Sequence, residues 1–174
     1  MKVYTIKDLE SFERDELGYL ICPSGDYTQI RSFGECCRFD ESCSFGDYCR
    51  FGEGCSFGEY CSFSKRCDFG VRCSFGKCCS FGERCSFGEW CSFGNNLRFE
   101  NIAENVDRVL KIDRIGSRKG CTYFYKTLNE IYVRCGCFFG TIAEFEAKVN
   151  NTHANNEQYR NEYLGAIKYA KSIL

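Results

Sequence analysis

The sequence predicts a mainly β protein whose body is a parallel β-solenoid. Three observations carry that prediction. Phe stands at every sixth position from 33 to 99, twelve times without a break. Cys keeps the same interval from 37 to 91, ten times. A period of six also cannot sit on one face of a helix, which repeats every ~3.6 residues, whereas it suits one short strand plus a corner, and hexapeptide repeats mark parallel β-helices.

The unit reads Phe, then Gly, a charge, a variable residue, Cys, and Ser, Arg or Asp; Asp40, Ser64 and Glu100 replace the Gly. In "FGERCS", residues 81–86, the pattern resembles the hexapeptide-repeat superfamily of left-handed β-helices. That family places an aliphatic residue, then Gly, two free positions, a small residue and one more free position. Phe81 takes the aliphatic place and Cys85 the small place. The likeness covers residues 27–104. It implies a left-handed coil, against the right-handed crossover that general chirality favours. It also implies that three hexads close each coil, giving about four coils with neighbours near ~4.8 Å. Phe33, Phe51, Phe69 and Phe87 would then form one ladder, and the other eight rings two more. The Gly after each Phe is expected at a corner that needs positive φ or close backbone approach. The ladder Cys is expected to be a buried free thiol behaving as a small hydrophobe, with disulfides and metal ligation as alternatives. The C-x5-C spacing differs from the closer pairs of zinc sites.

Residues 1–26 form the expected N-terminal cap, a strand then a helix, since an open coil exposes unpaired strand edges. Thr5 and Asp8 make a capping pair, with Ile6, Leu9 and Phe12 expected to face inward. After Phe99 the beat stops, and residues 105–174 read as a small α+β module. A β-hairpin is expected near Leu128 and Asn129, with Ile131, Val133, Cys135 and Cys137 alternating onto one face. "TIAEFEAKV" opens on a capping box, Thr141 to Glu144, and buries Ile142, Phe145 and Val149. A second helix aligns Tyr159, Tyr163, Ile167, Ala170 and Leu174. The repeats together with "DRIGSRKGCTYFYKT" and "VRCGCFFGTIAEFEAKV" also resemble uncharacterised Cys-Ser-Phe-Gly repeat proteins of bacteriophages and gut bacteria. That likeness implies architecture and a phage origin, and no activity.

Composition narrows the function. Net charge is −1, and residues 33–100 hold ten acids against eight bases, so nucleic-acid binding and DNA mimicry both lack the charge they need. No apolar run approaches a membrane span. "MKVYTIKDLESFERDE" contains no apolar signal core, so the sixteen Cys are expected as reduced thiols in a cytoplasm, the host's if the chain is phage-encoded. Most proteins of the resembled superfamily are acyltransferases with a His base, and some are metal-dependent carbonic anhydrases with three His. Here the single His, His153, lies outside the repeats in an expected polar loop. No phosphate-loop, hydrolase or metalloprotease motif occurs, and no catalytic residue or cofactor is assigned. Cys121, Cys135 and Cys137 are the candidates for a metal site.

The position before each ladder Cys faces outward and carries Tyr48, Tyr60 and Trp90, with Arg66, Arg72 and Arg84 at equivalent places. An 18-residue coil would put Arg72 beneath Trp90, suited to a cation–π contact, and Tyr48, Arg66 and Arg84 in one column. These are the candidate binding residues, because Trp, Tyr and Arg dominate interfaces; scattered surface aromatics are the plainer alternative. The expected function is a non-enzymatic binding or assembly module, a dimer or trimer, acting on a host protein or small molecule as inhibitor or sponge. The competing reading is an acyltransferase-like enzyme with a displaced base.

Overall fold

A computed structural model describes all residues 1–174. The chain divides into two compact units, Met1–Asn105 and Val106–Leu174. The first is a parallel β-solenoid of about four coils. Its strands are two or three residues long and assemble into three parallel sheets. Pairing steps by one coil of eighteen residues: Ser44–Phe45 lies on Ser62–Phe63, which lies on Ser80–Phe81, which lies on Arg98–Phe99. The parallel ladder reaches back before the repeat, because Leu20–Cys22 pairs with Cys37–Phe39 and Val3 bridges Asp26.

The Phe rings fill the interior. Within a column they stack nearly parallel, as in Phe51 on Phe69 at 4.9 Å and 4°. Between columns they meet edge to face, as in Phe51 and Phe57 at 4.9 Å and 88°. Both arrangements suit the ring quadrupole. Tyr27 extends one column past Phe45 at 5.6 Å, and Tyr4 stacks on Tyr27 at 4.8 Å. The N-terminal cap therefore continues the aromatic stack. Phe93 and Phe99, in the last coil, are only half-buried.

Each ladder Cys does more than fill space. The Cys55 thiol donates to the Gly34 carbonyl at 3.3 Å, Cys79 to Gly58 at 3.3 Å, and Cys91 to Gly70 at 3.4 Å. From Cys55 onward the acceptor is the carbonyl of the residue after Phe in the preceding coil, which receives no backbone N–H. A buried carbonyl without a partner is costly, so a small residue with a donor is favoured there. All sixteen Cys are free thiols.

Positive φ falls elsewhere than on the Gly after Phe. It falls on the residue before each ladder Cys, from Cys36 (φ 53) to Trp90 (φ 62), and again on Asn96 (φ 57) before Leu97; only Gly54 among these is a glycine. From Gly46 onward the Gly after Phe answers to close approach alone, while Gly34, in the first coil, faces open space. A Cβ on Gly88 would lie 2.5 Å from the Gly70 carbonyl carbon, a backbone atom one coil below.

Helix α1 (Ile6–Ser11) has the Thr5–Asp8 capping box. It buries none of its residues, and Ile6 is 62% exposed rather than inward. Phe12 does pack, edge-on to Tyr4 at 5.3 Å.

The second unit is a four-stranded antiparallel sheet with two helices. The strands Arg108–Ile115, Gly120–Lys126, Ile131–Cys135 and Phe138–Thr141 pair in chain order, so the hairpin near Leu128 is the central one of three. Helix α2 (Ile142–Thr152) carries the Thr141–Glu144 capping box, and Ile142, Phe145 and Val149 meet Val133, Tyr163 and Ile167 in the core. Tyr163, Ile167 and Ala170 come from α3 (Glu157–Ile173). Cys137 departs from the expected alternation: it is exposed, in the tight turn between two strands. Gly136 in that turn has φ +59.

Candidate functional site

Two clusters of side chains are left unexplained by folding. The first follows the corners of the solenoid. Tyr48, Tyr60, Arg66, Arg72, Arg84 and Trp90 all adopt φ between 58 and 62. That left-handed region suits Gly and Asn, and costs a bulky residue roughly 1–2 kcal/mol. The backbone itself needs the corner, since corner N–H groups bond to the next coil, as in Arg66 N to Glu83 O at 2.8 Å. The side chain is not needed for the core: Tyr48 is 55% exposed, Tyr60 58% and Trp90 81%.

The six candidates do not form one patch of contacts. Arg66 lies over the Tyr48 ring at 5.5 Å, as the column expects. Trp90 has no such partner. Arg72 turns away from it to pair with Glu53, Nη1 to Oε1 at 3.2 Å, because a carboxylate competes well for a guanidinium at an exposed edge. Tyr60 contacts Cys78 one coil on, and the charge of that thiol followed by their hydrogen bond raises the phenol pKa.

The second cluster lines a cavity of about 310 Å³ in the second unit. Two of its walls are Phe145 and Val149 of α2, and a third is Tyr163 of α3. The Tyr163 ring packs on Gly116, where any Cβ would lie 2.0 Å from the ring; Gly116 has φ +70, and its N–H donates to Glu162 Oε2 at 2.7 Å. His153 caps the C-terminus of α2. It is half-buried and lies 5.5 Å from Tyr163, nearly parallel. The sequence placed it in a polar loop with no partner; ring packing gives it one.

Cys121, Cys135 and Cys137 all border this cavity. The Thr122 hydroxyl donates to Cys135 Sγ at 3.2 Å, and that thiol reaches the Tyr163 oxygen at 3.9 Å. Burial followed by a hydrogen bond to Asp113 raises the Cys121 thiol pKa. The three thiols share the cavity with His153, but no three His, Cys, Asp or Glu side chains anywhere in the chain lie close enough to hold a metal ion. Arg118 and Lys148 complete the rim. Sequence spacing did not disclose this cavity, since its walls come from residues 115 to 163; the three clustered Cys were the one trace of it.

Fold and geometry define a parallel β-solenoid followed by an α+β unit with a lined cavity. Comparison with protein-family models, curated proteins and solved structures returns no match. No helix is long and apolar enough to cross a membrane.

Proposed function

We propose that the protein is a non-enzymatic binding and assembly module, a β-solenoid of the hexapeptide-repeat type that works in the cytoplasm. Its recognition surface is the corner set Tyr48, Tyr60, Arg66, Arg72, Arg84 and Trp90, and its partner is a protein, either further copies of this chain in a dimer or trimer or a host protein. One observation carries the reading. Large aromatic and Arg side chains occupy corners whose left-handed backbone favours Gly or Asn, and those aromatics face solvent. They add local strain and bury little, so their use lies outside the fold. Interfaces draw their energy from the same residue types.

Replacing Tyr48, Tyr60 and Trp90 together by Asn tests this, because Asn suits the corner. Native mass spectrometry of protein purified from its own host reports oligomer and partner together. The proposal expects the parent above the 20.1 kDa monomer mass, and the triple variant at the monomer mass with its fold intact. A parent that runs alone as a monomer, or a variant that assembles as the parent does, rejects it.

A further inference from the structure

We infer that the cavity of the second unit, walled by Phe145, Val149 and Tyr163 and rimmed by Arg118 and Lys148, binds a small carboxylic acid with an aromatic or branched apolar body. The inference is independent of the corner surface. The volume, about 310 Å³, falls at the lower end of ligand pockets, which run roughly 300–1,000 Å³. The inner wall is apolar and aromatic, as such pockets usually are.

Three polar features select the charge of the occupant. Arg118 and Lys148 enter no ion pair and no hydrogen bond within the protein, although other exposed cations of the unit do: Lys119 pairs with Glu162 at 3.5 Å and Lys171 with Glu146 at 2.7 Å. No Asp or Glu lines the cavity. The third feature is the Tyr163 hydroxyl. Tyr163 is 8% exposed, and its oxygen receives only the long thiol contact from Cys135 at 3.9 Å, leaving its own proton for another acceptor. Burial, then the charge of Cys135, pushes its pKa up to about 12, so it is a donor at neutral pH. A carboxylate at the rim would meet two cations and a phenol donor, and charge-assisted hydrogen bonds of this kind are about twice as strong as neutral ones. The body of the acid would lie against Phe145 and Val149, with the His153 and Tyr163 rings beside it.

The test uses 2-naphthoate, benzoate and hexanoate as probes, with 2-naphthamide as the uncharged match. Calorimetry on the full chain gives affinity, and amide NMR shifts give location. At least one acid is expected to bind about tenfold or more tightly than the amide, a gap of about 1.4 kcal/mol, with shifts confined to residues around Tyr163 and Phe145. Arg118→Gln with Lys148→Gln alters only exposed side chains and is expected to erase that preference while the melting temperature holds. Tyr163→Phe keeps the ring and is expected to weaken the acid alone. Equal binding of acid and amide, unchanged affinity in the double variant, shifts that map to the solenoid, or no binding of any probe at millimolar concentration would each overturn the inference.

Discussion

The Arg66 guanidinium lies 5.5 Å over the ring of Tyr48, one coil away, and both residues sit on left-handed corners. The next column over starts from the same geometry and resolves differently, because Arg72 pairs with Glu53 and leaves Trp90 uncovered. Corner columns are thus interchangeable in backbone and individual in surface chemistry. A solvent-exposed cation–π pair contributes only about 0.5–1 kcal/mol. Arg66→Ala is therefore expected to lower urea-unfolding stability by no more than about 1 kcal/mol. A larger loss would make the pair a structural element rather than a surface one.

The left-handed corners give a prediction of opposite sign. Arg84 has φ 59 and enters no ion pair. Arg84→Gly relieves the steric cost of that conformation, offset in part by the added freedom of Gly in the unfolded chain. A net gain of about 0.5–1 kcal/mol is expected in chemical denaturation. A loss would show that the Arg side chain packs on the solenoid and that the corner is not strained.

Thiol accessibility separates the buried ladder from the exposed Cys121 and Cys137. Every ladder thiol from Cys37 to Cys85 is buried away from a reagent, and Cys55 and Cys61, which donate to the thiols above and below and are buried, have pKa values held well above the ordinary thiol range. Cys121 and Cys137 are exposed. Titration of the native protein with a chromogenic disulfide is expected to modify these two promptly and the ladder thiols only after denaturation. Cys79→Ala also strips the Gly58 carbonyl of its thiol donor and is expected to cost about 1–3 kcal/mol. Prompt reaction of most ladder thiols would break the assigned register.

How far the sequence spoke follows from where each signal resides. The interior was legible because burial repeats with the residue pattern: every Phe from Phe33 to Phe87 is buried, as is every ladder Cys to Cys85. The corner conformation was not, because its usual marker, Gly, sits instead after Phe, where it answers to coil spacing. A left-handed backbone occupied by Tyr, Arg and Trp leaves no compositional trace. The capping boxes at Thr5 and Thr141 were readable as local four-residue motifs, whereas the outward Ile6 was not, since one short helix does not fix its own orientation. The cavity depends on a strand end, a turn and two helices meeting, and nothing local in "NTHAN" shows that His153 packs on Tyr163.

Alkaline stability follows from that same tyrosine. Burial, followed by the charge of Cys135, raises the Tyr163 pKa to about 12, against an ordinary value near ~10. The folded state holds the phenol proton more tightly than the unfolded chain does. Its contribution is thus fully present below about pH 10 and is lost as pH rises through about 12. Stability of the parent is expected to fall faster across that window than that of Tyr163→Phe, which has no proton to lose. Parallel pH profiles for the two proteins would mean that Tyr163 is open to water.

Two glycines in equivalent places of the repeat test the coil spacing itself. A Cβ on Gly34, in the first coil, would meet nothing within 4 Å, while on Gly88 it would lie 2.5 Å from the Gly70 carbon and 2.6 Å from the Val71 nitrogen. Those atoms belong to backbone held by the Gly88 N–H to Phe69 bond at 2.8 Å, so they cannot yield without opening the coil. Neither glycine has positive φ, which removes conformational strain from the comparison and leaves contact alone. Gly34→Ala is expected to be neutral or to stabilise by up to about 1 kcal/mol through the unfolded state. Gly88→Ala is expected to cost about 1–3 kcal/mol, the range for overpacking. Denaturant unfolding of the two variants side by side measures the difference. Equal effects would mean that coils stack with room for a methyl group, and that the Gly after Phe serves something other than close approach.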